Sequence, residues 1–310
     1  MFIKYADIVG YRPWLKFVWK AHITNWLWRD SLTRRLIRQK YYGEMKNGYF
    51  LKYLPFVKNL HAVNSTSQDW SPEDEKIYSL WFQGVENAPE IVKKCLESLS
   101  LSFGDKFVLM NEETMFNYID LPSFIIEKWK NKQIVPANFS DIVRIQLLLQ
   151  NGGFWFDATD LVMAPIPTEI KEADFFMYIT SPTIYTHMFV QTCFMRAKKG
   201  DALIRMWRDL VFEYWKNEEK SADYFLVHML FKFLVNNNEE AKVLFEKMPK
   251  IYQDGIHLLW YDYGNLPYKH EYIEKMKESA FFQKCSYRYL KGGVNKIIPG
   301  STAARLLEGI

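Results

Sequence analysis

Between Ser140 and Asp160 the chain reads SDIVRIQLLLQNGGFWFDATD, and few folds accept that order of residues. Ser140 is a good helix N-cap, and Asp141 would then stand in the first turn, where the helix dipole favours a carboxylate. Ile142, Ile145, Leu148 and Leu149 recur at helical spacing and supply a buried stripe. Asn151-Gly152-Gly153 stops the helix, because glycine takes the left-handed conformation without strain. Phe154-Trp155-Phe156 reads as a short buried strand, with Asp157 at its carboxyl end. In open α/β sheets that edge is where ligands bind.

The flanking segments ask for the same kind of sheet. KIYSLWFQG (Lys76 to Gly84) is an apolar, aromatic run ending at glycine, and KFVLM (Lys106 to Met110) is another. Between them NAPEIVKKCLESLS places Ile91, Cys95, Leu96 and Leu99 on one helical face, with Pro89 at its start. Strand, helix and strand in this order form a βαβ unit and hence a parallel sheet covered by helices. DFFMYIT (Asp174 to Thr180) continues the strand pattern, and Asp201 to Asn217 and Ala222 to Val235 read as helices. FFQKCSYRYLKGG (Phe281 to Gly293), aromatic and basic, is expected to close over a site.

Charge is distributed unevenly. Eleven Lys or Arg against three acids between Met1 and Tyr53 give that part a charge of about +8, while the whole chain carries +4. The basic residues are interleaved with Trp, Leu, Ile and Phe in a mainly helical pattern. Two readings stand: a helical pair packed on the main domain, or an interfacial helix meeting anionic headgroups. A nucleic-acid arm is a weaker third, and the modest net charge of the chain does not suggest a nucleic-acid binder. Asn64 to Glu75 is polar and turn-rich, a linker or an entry loop. Cys95, Cys193 and Cys285 are odd in number and widely spaced, which argues against a disulfide framework or zinc site and for a reducing compartment. No apolar run reaches ~18 residues, and MFIKYADIVGYRPWLKF lacks the apolar core and small-residue cleavage site expected of a signal peptide. The expected location is cytoplasmic, peripheral on the inner face of the cell membrane.

Asp157 and Asp160 at the end of a buried strand suggest a hard divalent cation, Mn²⁺ or Mg²⁺, completed by substrate phosphates. An acid-rich turn is the plain alternative. Asp141 and Arg144 share a helix face, either as an ion pair or as groups that hold a ribose hydroxyl and a phosphate. His187 and His228 are isolated and read as packed or surface histidines, and no P-loop, GxGxxG or GxSxG occurs.

Taken together, SDIVR, the Leu-rich helix, Gly-Gly, the aromatic strand and GGFWFDATD resemble the core of metal-dependent nucleotide-sugar glycosyltransferases of the GT-A type. Among these the chain is most similar to the capsular polysaccharide synthesis family. YSLWFQGVENAPEIVKKCLES resembles that family's first strand and helix, and ADYFLV and QKCSYR resemble later blocks, so the likeness spans about Ile77 to Arg288. It implies a single Rossmann-like α/β domain over 64–310 with a mainly parallel central sheet, plus a helical N-terminal extension over 1–63. It implies that Trp81, Gln83 and Gly84 lie near the base and ribose of a UDP-sugar, with Asp141 and Arg144 at the pocket's edge. Asp157 would hold the metal, and either Asp160 or Thr159 would replace the second carboxylate of the usual D-x-D. Asp223 falls where such enzymes place a carboxylate near the acceptor, and Lys284 and Arg288 could neutralise the diphosphate. Gln283 stands where the family carries His, which leaves a third metal ligand open. The implied activity is transfer of galactose or glucose, with retention, from UDP-galactose or UDP-glucose to an undecaprenyl-diphosphate-linked saccharide. The alternative is a non-catalytic sugar- or membrane-binding protein on a degenerate fold of the same type.

Overall fold

The structure, a computed structural model, describes residues 11–27, 31–63, 75–181, 188–287 and 298–309. The 64–74 linker, His187 and Arg288 lie outside the described residues. In chain order the elements are α1 (Tyr11–Leu27), α2 (Ser31–Phe50), α3 (Leu54–Lys58), β1 (Ile77–Leu80), α4 (Glu90–Phe103), β2 (Phe107–Met110), α5 (Ser123–Lys130), α6 (Pro136–Asn151), β3 (Gly153–Phe156) and β4 (Asp160–Val162). There follow α7 (Thr168–Glu172), β5 (Phe175–Ile179), β6 (Val190–Ala197), α8 (Ala202–Asn217), α9 (Leu226–Asn237), α10 (Glu239–Lys247), α11 (His270–Ser279), β7 (Phe282–Lys284) and α12 (Thr302–Glu308).

Five strands form the central sheet in the order β2-β1-β3-β6-β5. β1 pairs in parallel with β2 and β3, while β6 is antiparallel to both β3 and β5. Four strands therefore point one way and β6 alone runs against them, as a mostly parallel sheet requires. The crossovers from β1 to β2 and from β2 to β3 run in opposite lateral directions. Right-handed connection then puts their helices on opposite faces. The contacts agree: α4 packs on β2 and β4, and α6 packs on β3 and β6, with α8 and α9 beyond it. A second ribbon, β4 with β7, pairs Asp160 with Lys284 and Leu161 with Gln283.

α6 begins at Pro136, one turn earlier than the sequence suggests. Proline at the first helical position loses no hydrogen bond, so it overrides the cap at Ser140. Ser140 and Asp141 consequently lie inside the helix, and the dipole argument for Asp141 does not apply. α9 likewise starts four residues later than expected, because Asp223 Oδ1 accepts from Phe225 N at 2.9 Å and holds a turn there.

The N-terminal helices join the same core. α1 packs on α2, and α2 packs on α9. Phe50 packs edge-on against Tyr214 and at a tilt against Phe233, and Tyr49 and Tyr53 donate to Glu218 at 2.8 Å each. α2 thus follows the first reading, a helix packed on the main body. No helix among the described residues is long and apolar enough to cross a membrane.

The double glycine is a steric necessity at both positions. Gly152 (φ 72°) caps α6, and a Cβ there would lie 2.7 Å from Lys199 N. At Gly153 (φ 94°) a Cβ would lie 2.4 Å from the Lys76 carbonyl oxygen. Gly153→Ala should therefore destabilise the fold by about 1–3 kcal/mol or more from backbone strain alone. Thermal and urea unfolding check this, and an unchanged stability would contradict the close approach of β3 to Lys76.

Candidate functional site

Asp157 is delivered to the carboxyl edge of the sheet by β3, and the chain from Asp157 to Asp160 folds back on itself. Asp160 N donates to the Asp157 carbonyl at 2.9 Å, and Asp157 N donates to Asp160 Oδ2 at 3.1 Å. The turn thereby presents Asp157, Thr159 and Asp160 to one point, and Lys284 Nζ occupies it. The ammonium lies 2.7 Å from Asp157 Oδ2, 2.8 Å from Thr159 Oγ1 and 3.1 Å from Asp160 Oδ1. The register of β4 with β7 fixes this meeting, and Cys285 N donates to the Thr159 carbonyl at 2.7 Å directly after it.

Arg144 completes the cluster from α6. Its Nη1 lies 3.1 Å from Asp157 Oδ1 and its Nη2 3.4 Å from Asp141 Oδ1. The same guanidinium donates to the Thr192 hydroxyl at 3.0 Å and the Ser140 hydroxyl at 3.1 Å, as well as to the Thr192 carbonyl. The Trp155 indole N–H donates to Asp157 Oδ1 at 3.0 Å, and the guanidinium lies over its ring. Asp157 and Lys284 remain 25% and 20% exposed, so a ligand can reach them, while Asp160 is sealed.

The charges act on one another strongly. Burial alone would raise Asp157, but Arg144 and Lys284 outweigh it and hold the carboxyl below its ordinary range. Burial would lower Lys284, but Asp157 and Asp160 outweigh it and keep the ammonium charged. Burial pushes Asp160 up to about 8 and Asp141 up to about 7, against the pull of Lys284 and Arg144. Burial, helped by the charge on Lys284, lowers His257 to about 4, so its imidazole is neutral at physiological pH.

Asp157, Thr159, Asp160, Lys284, Asp141 and Arg144 are therefore brought together. Trp81, Gln83 and Gly84 follow β1 at the same edge, in a turn closed by Gly84 N donating to the Trp81 carbonyl at 3.1 Å. Trp81 packs edge-on against Tyr287, and its indole N–H has no partner among the described residues. Gln283 points away from Lys284, as strand alternation demands. Its amide donates to the Gly255 carbonyl at 2.8 Å and accepts from Leu259 N at 2.9 Å, so it is a structural brace rather than a metal ligand. Asp223 is buried and held by α2, with Lys46 Nζ at 3.6 Å and a hydrogen bond from Tyr42. It adjoins the cluster through Tyr224, whose carbonyl accepts from Asn138 at 3.1 Å. Sequence reasoning missed Trp155, Thr192 and Ser140 as partners of the cluster. Trp155 and Ser140 each stand in a motif, GGFWFD and SDIVR respectively, but neither motif marks them as partners of the cluster, and Thr192 carries no signal.

The expected metal ligands do not fit Mn²⁺ or Mg²⁺ as arranged. The oxygens that would bind the ion converge instead on Lys284 Nζ, and Asp157 Oδ1 is already engaged by Trp155 and Arg144. Among the described residues no group of three His, Cys, Asp or Glu side chains is placed to hold a metal. A cavity of about 860 Å³ lies at the other end of the strands, lined by residues including Ile77, Phe103, Phe154 and Arg196. It shares no residue with the cluster and does not locate the chemistry.

An α/β fold with a charged cluster at the carboxyl edge of a mostly parallel sheet defines a ligand-binding class. Residues 36–296 match the family model described as capsular polysaccharide synthesis protein, and the chain belongs to that family. It is 25% identical over 193 residues to the O-glycosyltransferase PaGT of Phomopsis amygdali, a match covering 56% of this chain and 47% of that protein. The chain thus spans about half the length of this relative. The PaToxG glycosyltransferase structure aligns over 64% of this chain and 79% of its own, with 15% identity and a TM-score of 0.32.

Arg144→Met leaves Asp157 and Asp141 short of a buried partner. It should cost about 3–5 kcal/mol at neutral pH. The variant's uncompensated carboxylates favour protonation, so the deficit should shrink as pH falls toward the carboxylate range. Urea unfolding across pH measures both, and a deficit that grew on acidification would contradict the assigned ion pairs.

Proposed function

We propose that the protein is a glycosyltransferase that moves a hexose, galactose or glucose, from a UDP-sugar to a lipid-linked saccharide during capsular or surface polysaccharide synthesis. The observation that carries this reading is the solvent-reachable Lys284–Asp157 pair, backed by Arg144, beside Trp81 at the carboxyl edge of β1 and β3. Family membership supports glycosyl transfer, and the unpartnered Trp81 indole supports a nucleotide base at that position.

In this reading the anomeric C1–O bond breaks and its electron pair passes to the diphosphate oxygen. The acceptor hydroxyl oxygen forms the new bond to C1, and its proton passes to the departing diphosphate. Lys284 offsets the charge that develops on the leaving group. Each carboxylate of the cluster, and Asp223 beside it, is already paired with a cation. That supports a front-face displacement with retention, in which no side chain attacks the sugar.

A donor panel of UDP-sugars, followed by UDP release, tests the reading. Trp81→Ala should weaken UDP binding by about tenfold or more, the loss of one stacked base, with a smaller effect on kcat. No turnover and no nucleotide binding across the panel would sink the reading and favour a non-catalytic sugar-binding protein.

The acceptor's lipid gives α1 a role. Arg12, Leu15, Lys16 and Trp19 are all exposed and follow helical spacing along one face, with Leu15 at 54% and Trp19 at 65%. Such a face suits the boundary of an anionic bilayer at the cytoplasmic side. Flotation with phosphatidylglycerol vesicles should recover the protein, and Leu15→Glu with Trp19→Glu should abolish recovery. Full-length protein that ignores these vesicles would refute the membrane role.

A further inference from the structure

We propose that Lys284 is the resident cation of this site: its ammonium takes the position of a divalent ion, and the donor diphosphate is bound without metal. The inference rests on the glycosyltransferase reading for its substrate but on side-chain geometry for its cation.

Three oxygens of one turn, from Asp157, Thr159 and Asp160, lie 2.7–3.1 Å from a single nitrogen. An ammonium is a compact charge with three N–H donors; here it donates to Asp157 Oδ2 and Thr159 Oγ1, and Asp160 Oδ1 lies within ion-pair distance without a hydrogen bond. The lysine is not loosely placed. Its strand is paired with β4 through Asp160↔Lys284, and the residues on either side are fastened. Gln283 is locked between Gly255 and Leu259, and Cys285 N holds the Thr159 carbonyl. Moving Lys284 out to admit a metal would leave its ammonium short of two carboxylates.

The remaining charges point the same way. Three carboxylates, Asp141, Asp157 and Asp160, face two cations, Lys284 and Arg144, so at most one negative charge is left over for a divalent ion. A diphosphate would meet the solvent-reachable ammonium of Lys284. Thr159 is the neutral member of the tripod, and its hydroxyl accepts from Lys284. Among the described residues no acceptor takes its own O–H, which can then donate to a phosphate oxygen next to the ammonium.

The experiment uses the full chain, with Mn²⁺ binding read by electron paramagnetic resonance and UDP binding by calorimetry. Wild-type protein should take up Mn²⁺ weakly, alone or with UDP, and its UDP affinity should be the same in EDTA as in Mn²⁺. Lys284→Ala frees the three oxygens and should bind Mn²⁺ at least tenfold more tightly than wild type, with a rise in Tm on adding Mn²⁺ that wild type lacks. Lys284→Met, which keeps the side-chain volume, serves if the alanine variant does not fold. Wild-type protein that binds Mn²⁺ as tightly as the variants, or loses UDP affinity in EDTA, overturns the proposal. Should UDP not bind at all, the glycosyltransferase reading fails, while the comparison of Mn²⁺ alone still decides the place of Lys284.

Discussion

Asp157 is the point on which the structure's polar architecture depends. Its two carboxylate oxygens receive Arg144 from α6, Trp155 from β3 and Lys284 from β7. Two consecutive elements, α6 and β3, are joined to the distant β7 through a single side chain. Placing such charges in the interior costs several kcal/mol per ion in lost hydration, and only near-complete pairing offsets it. The pairing therefore dictates the surroundings. Arg144 must also find Asp141, Thr192 and Ser140, and Asp160 must be turned back onto the backbone N–H of Asp157. A net gain in stability need not follow, because buried ion pairs more often select one arrangement than strengthen it.

The N-terminal helices extend this logic outward. Lys46 is buried on α2, and burial lowers its pKa against the opposing pull of Asp223. It lies 3.6 Å from the Asp223 carboxylate and donates to the Ala222 carbonyl. The turn that places Asp223 also carries Tyr224, whose carbonyl is tied to Asn138 on α6. A segment that reads as an extension in composition thus braces a loop one step from the Arg144 cluster. Its basic character is divided: Lys46 is spent inside, while Arg12 and Lys16 face solvent beside Leu15 and Trp19.

Much of this was legible in the residues, for identifiable reasons. The strands of the βαβ unit are short, aromatic and bounded by glycine, so period and punctuation agree, and the Gly152-Gly153 stop marks a position where no Cβ fits. The pairing of Asp157 with Asp160 is suggested by their spacing at a strand end, whereas Thr159 enters only through the family resemblance and as an alternative to Asp160. Helix starts were read less well, because Ser140 looks like a cap whether or not Pro136 starts the helix earlier. The role of Lys284 was hidden for a different reason. Only the pairing of β4 with β7, separated by more than a hundred residues, shows which side of its strand faces Asp157. Gln283 and Lys284 are neighbours in sequence but face opposite ways, and a motif comparison that aligns them to metal ligands carries no information about that alternation.

The division of labour between the two cations follows from their chemistry. Arg144 is only 8% exposed and distributes its donors over acceptors from α6, β6 and Asp157, which requires a planar fork. Such a group is fully committed to holding the site together. Lys284 needs no fork. It sits over a tripod of oxygens as a point charge and keeps a fifth of its side chain open. An anion approaching Asp157 therefore meets the ammonium, with the guanidinium behind it fixing the carboxylate that fixes the lysine. A metal ion would have to be acquired at each assembly of the site, whereas a strand-borne ammonium arrives with the fold. What fills the turn of two aspartates and a threonine is the residue that β7 delivers opposite Asp160.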